Sequence, residues 1–155
     1  MSIISYRIAK TRFSSNMFDG EGSFKYGGRW SSPGTRVVYT AESLALATLE
    51  IVVHFDEAHL RADYSFATAT FSEKLVLNIE DFAGLPKNWR ESPPPIAIQE
   101  IGDAWAESMQ SVVLRVPTSL IPEGENFLLN VGHKEFRNVV LGDPQLLSLD
   151  KRLLD

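Results

Sequence analysis

The sequence predicts an α+β fold with a mainly antiparallel or mixed sheet. Two observations point there. Short strand-like segments are mixed with helical ones without the regular βαβ rhythm of a doubly wound sheet. No GxGxxG follows a predicted strand, and GEGSFKYGG lacks the Lys-Ser/Thr of a phosphate-binding P-loop. The 155 residues suit one domain spanning 1–155. That length can bury a core without disulfides or metals.

The elements follow in order. Ile3 to Ala9 alternates, with Ile4, Tyr6 and Ile8 on one face and Ser5 and Arg7 on the other, which predicts a half-buried strand. Thr11 to Ser32 is polar and glycine-rich and predicts a long loop. Phe18, Phe24, Tyr26 and Trp30 within it favour a functional loop over a disordered one. Arg36 to Thr40 is a short β-branched strand. Ser43 to Val53 is apolar on nearly every face and predicts a buried helix. Tyr64 to Phe71 and Leu75 to Ile79 read as strands joined by a turn at Ser72–Lys74. Pro86 to Pro95 is an irregular connection. Ile96 to Glu107 has the period of an amphipathic helix, and Val112 to Val116 is a strand stopped by Pro117. Asn126 to Asn130, Asn138 to Leu141 and Leu146 to Leu149 are further strand candidates.

Composition narrows the function. The hydrophobic fraction of 44% and charged fraction of 23% are those of a soluble globular protein. A net charge of −5 with no run of like charges argues against direct nucleic-acid binding. The chain has no Cys, which excludes disulfide scaffolds and Cys-ligated metals and suits the cytoplasm. The N-terminal MSIISYRIAK lacks the apolar core and cleavage site of a signal peptide, and no stretch is long enough to span a membrane. His54, His59 and His133 have no helical metal-ligand spacing, so no metal is expected.

Glu50 is the sharpest chemical clue. It is the only charge inside a helix that otherwise reads as buried. A buried carboxylate needs a cation, donors or a cleft wall. The competing reading is a solvent-exposed sliver of helix. His54, at i+4 from Glu50, shares its face or caps the helix C-terminus. Arg29 sits in Gly27-Gly28-Arg29-Trp30, where two glycines let the backbone approach a ligand and a guanidinium suits phosphate or carboxylate. A surface ion pair is the plain alternative. Trp30 serves to pack against Arg29 or to anchor the loop. Tyr39 is either a core residue with its hydroxyl at the rim or a platform for a planar ring. Arg7 faces a cleft or solvent. Ser111, Asn126, Asn130 and His133 read first as turn-formers.

In this order these residues resemble the RES domain family. Phe18 to Glu50 (FDGEGSFKYGGRWSSPGTRVVYTAESLALATLE) is similar to the family's long N-terminal signature, and ENFLLNVGHKEF to its Asn-aromatic-Leu-x-Asn-Pro-x-His segment. Ser31 stands where the family usually has Asn, and Val131 where it has Pro. The resemblance implies an ADP-ribosyltransferase-like fold, with a split sheet and helices around an NAD cleft. It implies a bacterial cytoplasmic toxin that cleaves the nicotinamide–ribose bond of NAD. NAD is then the substrate, no cofactor is required, and water or inorganic phosphate is the acceptor. It implies an Xre-like helix-turn-helix antitoxin as partner, with a toxin homodimer inside the complex. Carried over, Arg29, Tyr39 and Glu50 become catalytic. Arg29, Tyr39, Ser111 and Asn130 become substrate-binding, and Arg7 joins them on its own strand position rather than through the resemblance. Transfer of ADP-ribose to a protein and a non-catalytic nucleotide-binding module are the alternatives.

Overall fold

The structure, a computed structural model, describes residues 1–54, 56 and 62–154. His59 lies outside the described residues. Among the described residues no helix is long and apolar enough to cross a membrane. The described strands are β1 (Ser2–Lys10), β2 (Val37–Ala41), β3 (Tyr64–Ser72), β4 (Val76–Asn78), β5 (Val113–Pro117), β6 (Glu125–Asn130), β7 (Val140–Leu141) and β8 (Gln145–Leu146). They form one sheet in the order β4-β5-β6-β2-β1-β3-β7, with β8 also on β3. Only β4 and β5 run parallel among these strand pairs. This is the expected α+β class.

The sheet is tight everywhere except at its middle. β1 pairs with β3 from Ser2↔Ser72 to Lys10↔Tyr64, and β2 pairs with β6 along its whole length. Between β1 and β2 the only register pair is Tyr6↔Ala41. The two halves part there, and the side chains that flank the gap become cleft walls.

Helix α4 (Ile96–Ser108) covers one face of the β4-β5-β6-β2 half. Its Ile98, Trp105 and Ala106 pack on Val37, Leu114, Val116 and Leu128. The opposite face buries Val38, Val113, Phe127 and Leu129 against Phe71 and Ala69 of β3. Burial on both faces explains why Val37 and Val38, neighbours in sequence, are both fully inside.

Several elements depart from the sequence expectation. The Thr11–Ser32 loop contains a 3-10 helix (Thr11–Asn16) and helix α1 (Glu21–Tyr26). Neither buries a residue, so neither leaves an apolar period to read. α1 is held by polar contacts instead: the Glu21 amide donates to Asp19 Oδ1 (2.9 Å), and Arg36 pairs with the Glu21 carboxylate (2.8 Å). The strand expected over Leu75–Ile79 shrinks to β4, because Ile79 opens the short helix α3 (Ile79–Phe82). The strands expected over Asn138–Leu141 and Leu146–Leu149 shrink to the two-residue β7 and β8.

Helix α2 (Leu44–Val52) is not buried all round. Leu46 and Ala47 are inside, whereas Leu49 and Val53 are 41% and 55% exposed. It lies across one part of the sheet with nothing described on its outer side. Likewise the apolar face read for β1 does not hold: Ile4 is exposed and Ser5 is fully buried, its hydroxyl donating to the Ala69 carbonyl (3.3 Å).

Candidate active site

A cleft of about 910 Å³ opens where the sheet parts. That is toward the upper end of the ~300–1,000 Å³ range of small-molecule sites. Arg7 comes from β1, Tyr39 from β2, Glu50 from α2, and Arg29 from the loop after α1; all four line it. A recess of about 150 Å³ adjoins it and shares Arg7, Tyr39, Glu50 and Asn126.

Each of these side chains is positioned by specific bonds. Ser43 caps α2, its hydroxyl accepting from the Leu46 amide (3.0 Å), which sets the helix that carries Glu50. The Glu50 carboxylate accepts from Asn126 Nδ2 at 3.1 Å. Arg7 Nε donates to the Met17 carbonyl and Nη1 to the Tyr39 carbonyl (3.1 Å), so Arg7 bridges the gap between β1 and β2. Burial pulls the Arg7 guanidinium below the usual arginine range. Arg29 Nη1 donates to the Trp89 (3.2 Å) and Glu91 (2.7 Å) carbonyls. Burial also lowers the Arg29 guanidinium, while the charges of Glu50 and Tyr39 act in the opposite direction.

Tyr39 does more than line the cleft. Its hydroxyl accepts from the Trp30 amide (3.0 Å) and lies 2.8 Å from the Ser31 hydroxyl. Burial, partly offset by these two bonds, pushes the phenol up to about 12. A Cβ on Gly28 would come within 2.6 Å of that hydroxyl, so glycine is what lets the loop close over it. From the other side Gln99 of α4 donates to the Gly28 carbonyl (2.9 Å), and Asp103 accepts from the Ser32 amide (3.0 Å). Trp30 anchors the loop in the core at 2% exposure and stacks on Trp89, their centroids 6.2 Å apart.

Ser111 and Asn130 stand apart from this site and do not line the cleft. The Ser111 hydroxyl accepts from Trp105 Nε1 and donates to the Val113 carbonyl, both at 2.8 Å. It ties the end of α4 to β5. Asn130 is buried, donating to the Ala106 carbonyl (2.9 Å) and accepting from the Gly132 amide (3.2 Å). His133 accepts from the Glu135 amide at Nδ1, so its Nε2 donates to the Met109 carbonyl (2.9 Å). His54 is exposed just beyond α2 and lines the cleft mouth.

Sequence reasoning missed Asn126, Gln99, Thr118 and Arg90 as lining residues. Asn126 shares a strand face with Asn130, but at the open end of β6. Gln99 and Asp103, one turn apart and flanking Gly102, were a legible polar stripe on an amphipathic helix. Arg90, between the two residues whose carbonyls hold Arg29, donates to the Ser119 (2.6 Å) and Leu120 (3.1 Å) carbonyls. No local signal in the sequence reveals that contact.

The sheet thus parts around a cleft lined, among the described residues, by three arginines and the single carboxylate of Glu50. The RES domain profile matches residues 4–150, and the chain belongs to that family. It is 34% identical over 151 residues to "Toxin Res" of Yersinia enterocolitica, covering 96% of this chain and 97% of that one. It is 30% identical over 158 residues to the "Prs ADP-ribosylating toxin" of a Sphingobium species, covering 99% and 98%. Among solved structures it matches a chain of the M. tuberculosis MbcT–MbcA toxin–antitoxin complex with a TM-score of 0.77 at 20% identity. That match covers 96% of this chain and 85% of the other, and it establishes the shared fold.

Proposed function

We propose that this chain is the toxin of a toxin–antitoxin pair and depletes NAD by cleaving its nicotinamide–ribose bond. One observation supports this most. Arg7, Arg29 and Arg90 line the same cleft as Glu50, and each guanidinium is held by main-chain carbonyls. Among the described residues none of the three has a carboxylate within ion-pair distance. No direct ion pair neutralises them, although the Glu50 charge acts on Arg29 and the Asp19 charge on Arg7, so arginines outnumber carboxylates in the cleft of an otherwise acidic protein. Such a cleft suits a pyrophosphate-bearing substrate.

The chain's own groups then divide the work. Arg29 and Arg7 hold the phosphates and set the register of the dinucleotide. The Tyr39 ring forms a wall for the nicotinamide ring, while its hydroxyl holds the Arg29 loop. The C1′–N bond breaks with its electron pair leaving on nicotinamide, which departs neutral and needs no general acid. The ribose becomes oxocarbenium-like. The Glu50 carboxylate stabilises that positive charge. Water or inorganic phosphate then attacks C1′ and loses a proton, giving ADP-ribose or its 1″-phosphate. No cofactor takes part.

The relatives named toxins and the toxin–antitoxin complex of the structural neighbour support a protein antitoxin as partner. We assign it as Xre-like, acting on a toxin homodimer in the bacterial cytoplasm. One relative's name favours a second reading, transfer of ADP-ribose to a protein. NAD labelled in its adenylate phosphate separates the two. Label recovered as free ADP-ribose or its phosphate supports NAD degradation, and label on protein supports transfer. Intact NAD in every condition contradicts both.

A further inference from the structure

Asn126 holds a position that the reading above leaves without a role. It lies at the start of β6, paired with Ala41 of β2 on one side and with Val116 of β5 on the other, so its backbone is fixed by the sheet. Its side chain lines both the main cleft and the recess beside Glu50. The amide nitrogen donates to Glu50 Oε1 at 3.1 Å. This settles the orientation of the carboxamide: the flipped form would set its oxygen against a carboxylate oxygen, two acceptors with no proton between them.

The consequence falls on Oδ1. It is buried and has no hydrogen-bond partner. Buried carboxamide oxygens are almost always satisfied, and an orphan costs folding free energy. A leucine or alanine here would remove that cost. The orphan acceptor belongs to a residue that lines the substrate cleft and bonds the carboxylate that the reaction uses, and the oxygen itself lies just beneath the cleft surface. There the Glu50 carboxylate and Asn126 Oδ1 form a pair of acceptors side by side, with the intervening N–H already spent on Glu50. The ligand group that complements two adjacent acceptors is one with two adjacent donors, a vicinal diol.

We propose that Asn126 belongs to the reaction centre: its Nδ2 fixes the Glu50 carboxylate, and its Oδ1 accepts a hydroxyl of the nicotinamide ribose. The proposal rests on the NAD-cleaving reading and deepens it. Asn126 makes the site selective for an unmodified ribose diol, and the orphan oxygen trades stability for that contact.

The test compares wild type with Asn126→Ala and Asn126→Leu. Each is assayed with NAD and with NAD analogues lacking the 2′- or 3′-hydroxyl of the nicotinamide ribose. Nicotinamide release is followed, and thermal melting is recorded. With NAD, kcat should fall about a hundredfold in the variants, as expected for a misplaced catalytic group. Melting temperature should hold or rise. For at least one analogue, the rate penalty seen with wild type should shrink about threefold or more in Asn126→Ala, because the lost hydroxyl and the lost carbonyl are partners. The intrinsic reactivity of the analogue cancels in that comparison. Wild-type kcat in both variants overturns the proposal. So does a rate loss that accompanies a lower melting temperature and is equal for NAD and both analogues, since that marks a merely structural residue. A wild-type protein that leaves NAD intact overturns the underlying reading, and the proposal with it.

Discussion

Tyr39 shows how much one side chain can carry at this site. Its hydroxyl is the acceptor for the Trp30 amide and the neighbour of Ser31, so it holds the loop that presents Arg29. Tyr39→Phe leaves those partners unsatisfied in a buried place. It should cost about 1–3 kcal/mol of stability, measured by urea unfolding. The phenol, raised by burial to about 12, adds a pH signature. The folded state holds the proton more tightly than the unfolded chain does. The resulting stability is fully present below the ordinary phenol range near ~10 and is lost as pH rises through the folded value. Wild type should therefore lose about 2–3 kcal/mol more than Tyr39→Phe between those limits. At this scale Glu50 was legible because a lone charge in an apolar helix demands a reason. Arg29 was legible because two glycines and an arginine suggest an anion. Ser111 and Asn130 were not separable from site residues by type: polar groups at strand ends hold turns as often as ligands, and only the fold shows which. Asn126 was hidden for the same reason.

The element that organises the cleft is α4, although it contributes no charge to the chemistry. Gln99 and Asp103 bind the Gly28–Ser32 loop, and between them Gly102 lies so close that a Cβ would stand 1.5 Å from the Trp30 carbonyl oxygen. Backbone cannot yield there as a side-chain tip can. Gly102→Ala should cost about 1–3 kcal/mol through strain and should weaken substrate affinity by displacing Arg29; thermal melting and a binding titration check both. Helix α2 makes the converse point. Its apolar composition suggested burial on all sides, but a nine-residue helix over an open stretch of sheet buries one stripe. Leu49→Lys, on the outer stripe, should change stability by less than about 0.5 kcal/mol. A large loss in the isolated protein would restore the buried-helix reading. Long periodic elements (β1, β3, α4) were legible because they pack a regular face. The two short helices of the Thr11–Ser32 stretch were not, because polar contacts alone hold them.

On the scale of the whole molecule, the sheet that parts between β1 and β2 converts an acidic chain into a carrier of a cationic cleft. Net charge of −5 argues against polyanions in general, yet Arg7, Arg29 and Arg90 gather positive charge in one open cleft. Substrate capture should accordingly weaken as ionic strength rises through the range where the Debye length falls from ~10 Å to ~3 Å, seen as a rising KM at unchanged kcat. The fold class was readable from element order, but the split was not: it depends on which strands pair, and no local pattern encodes the single register pair between β1 and β2. The central claim is that the cations hold the ground state and Glu50 acts on the transition state. The measurement that tests it most directly is nicotinamide release from NAD by wild type and Glu50→Gln, with NAD affinity determined for both. Affinity should be retained while kcat falls by the equivalent of about 2–4 kcal/mol. Wild-type turnover by Glu50→Gln would contradict the account.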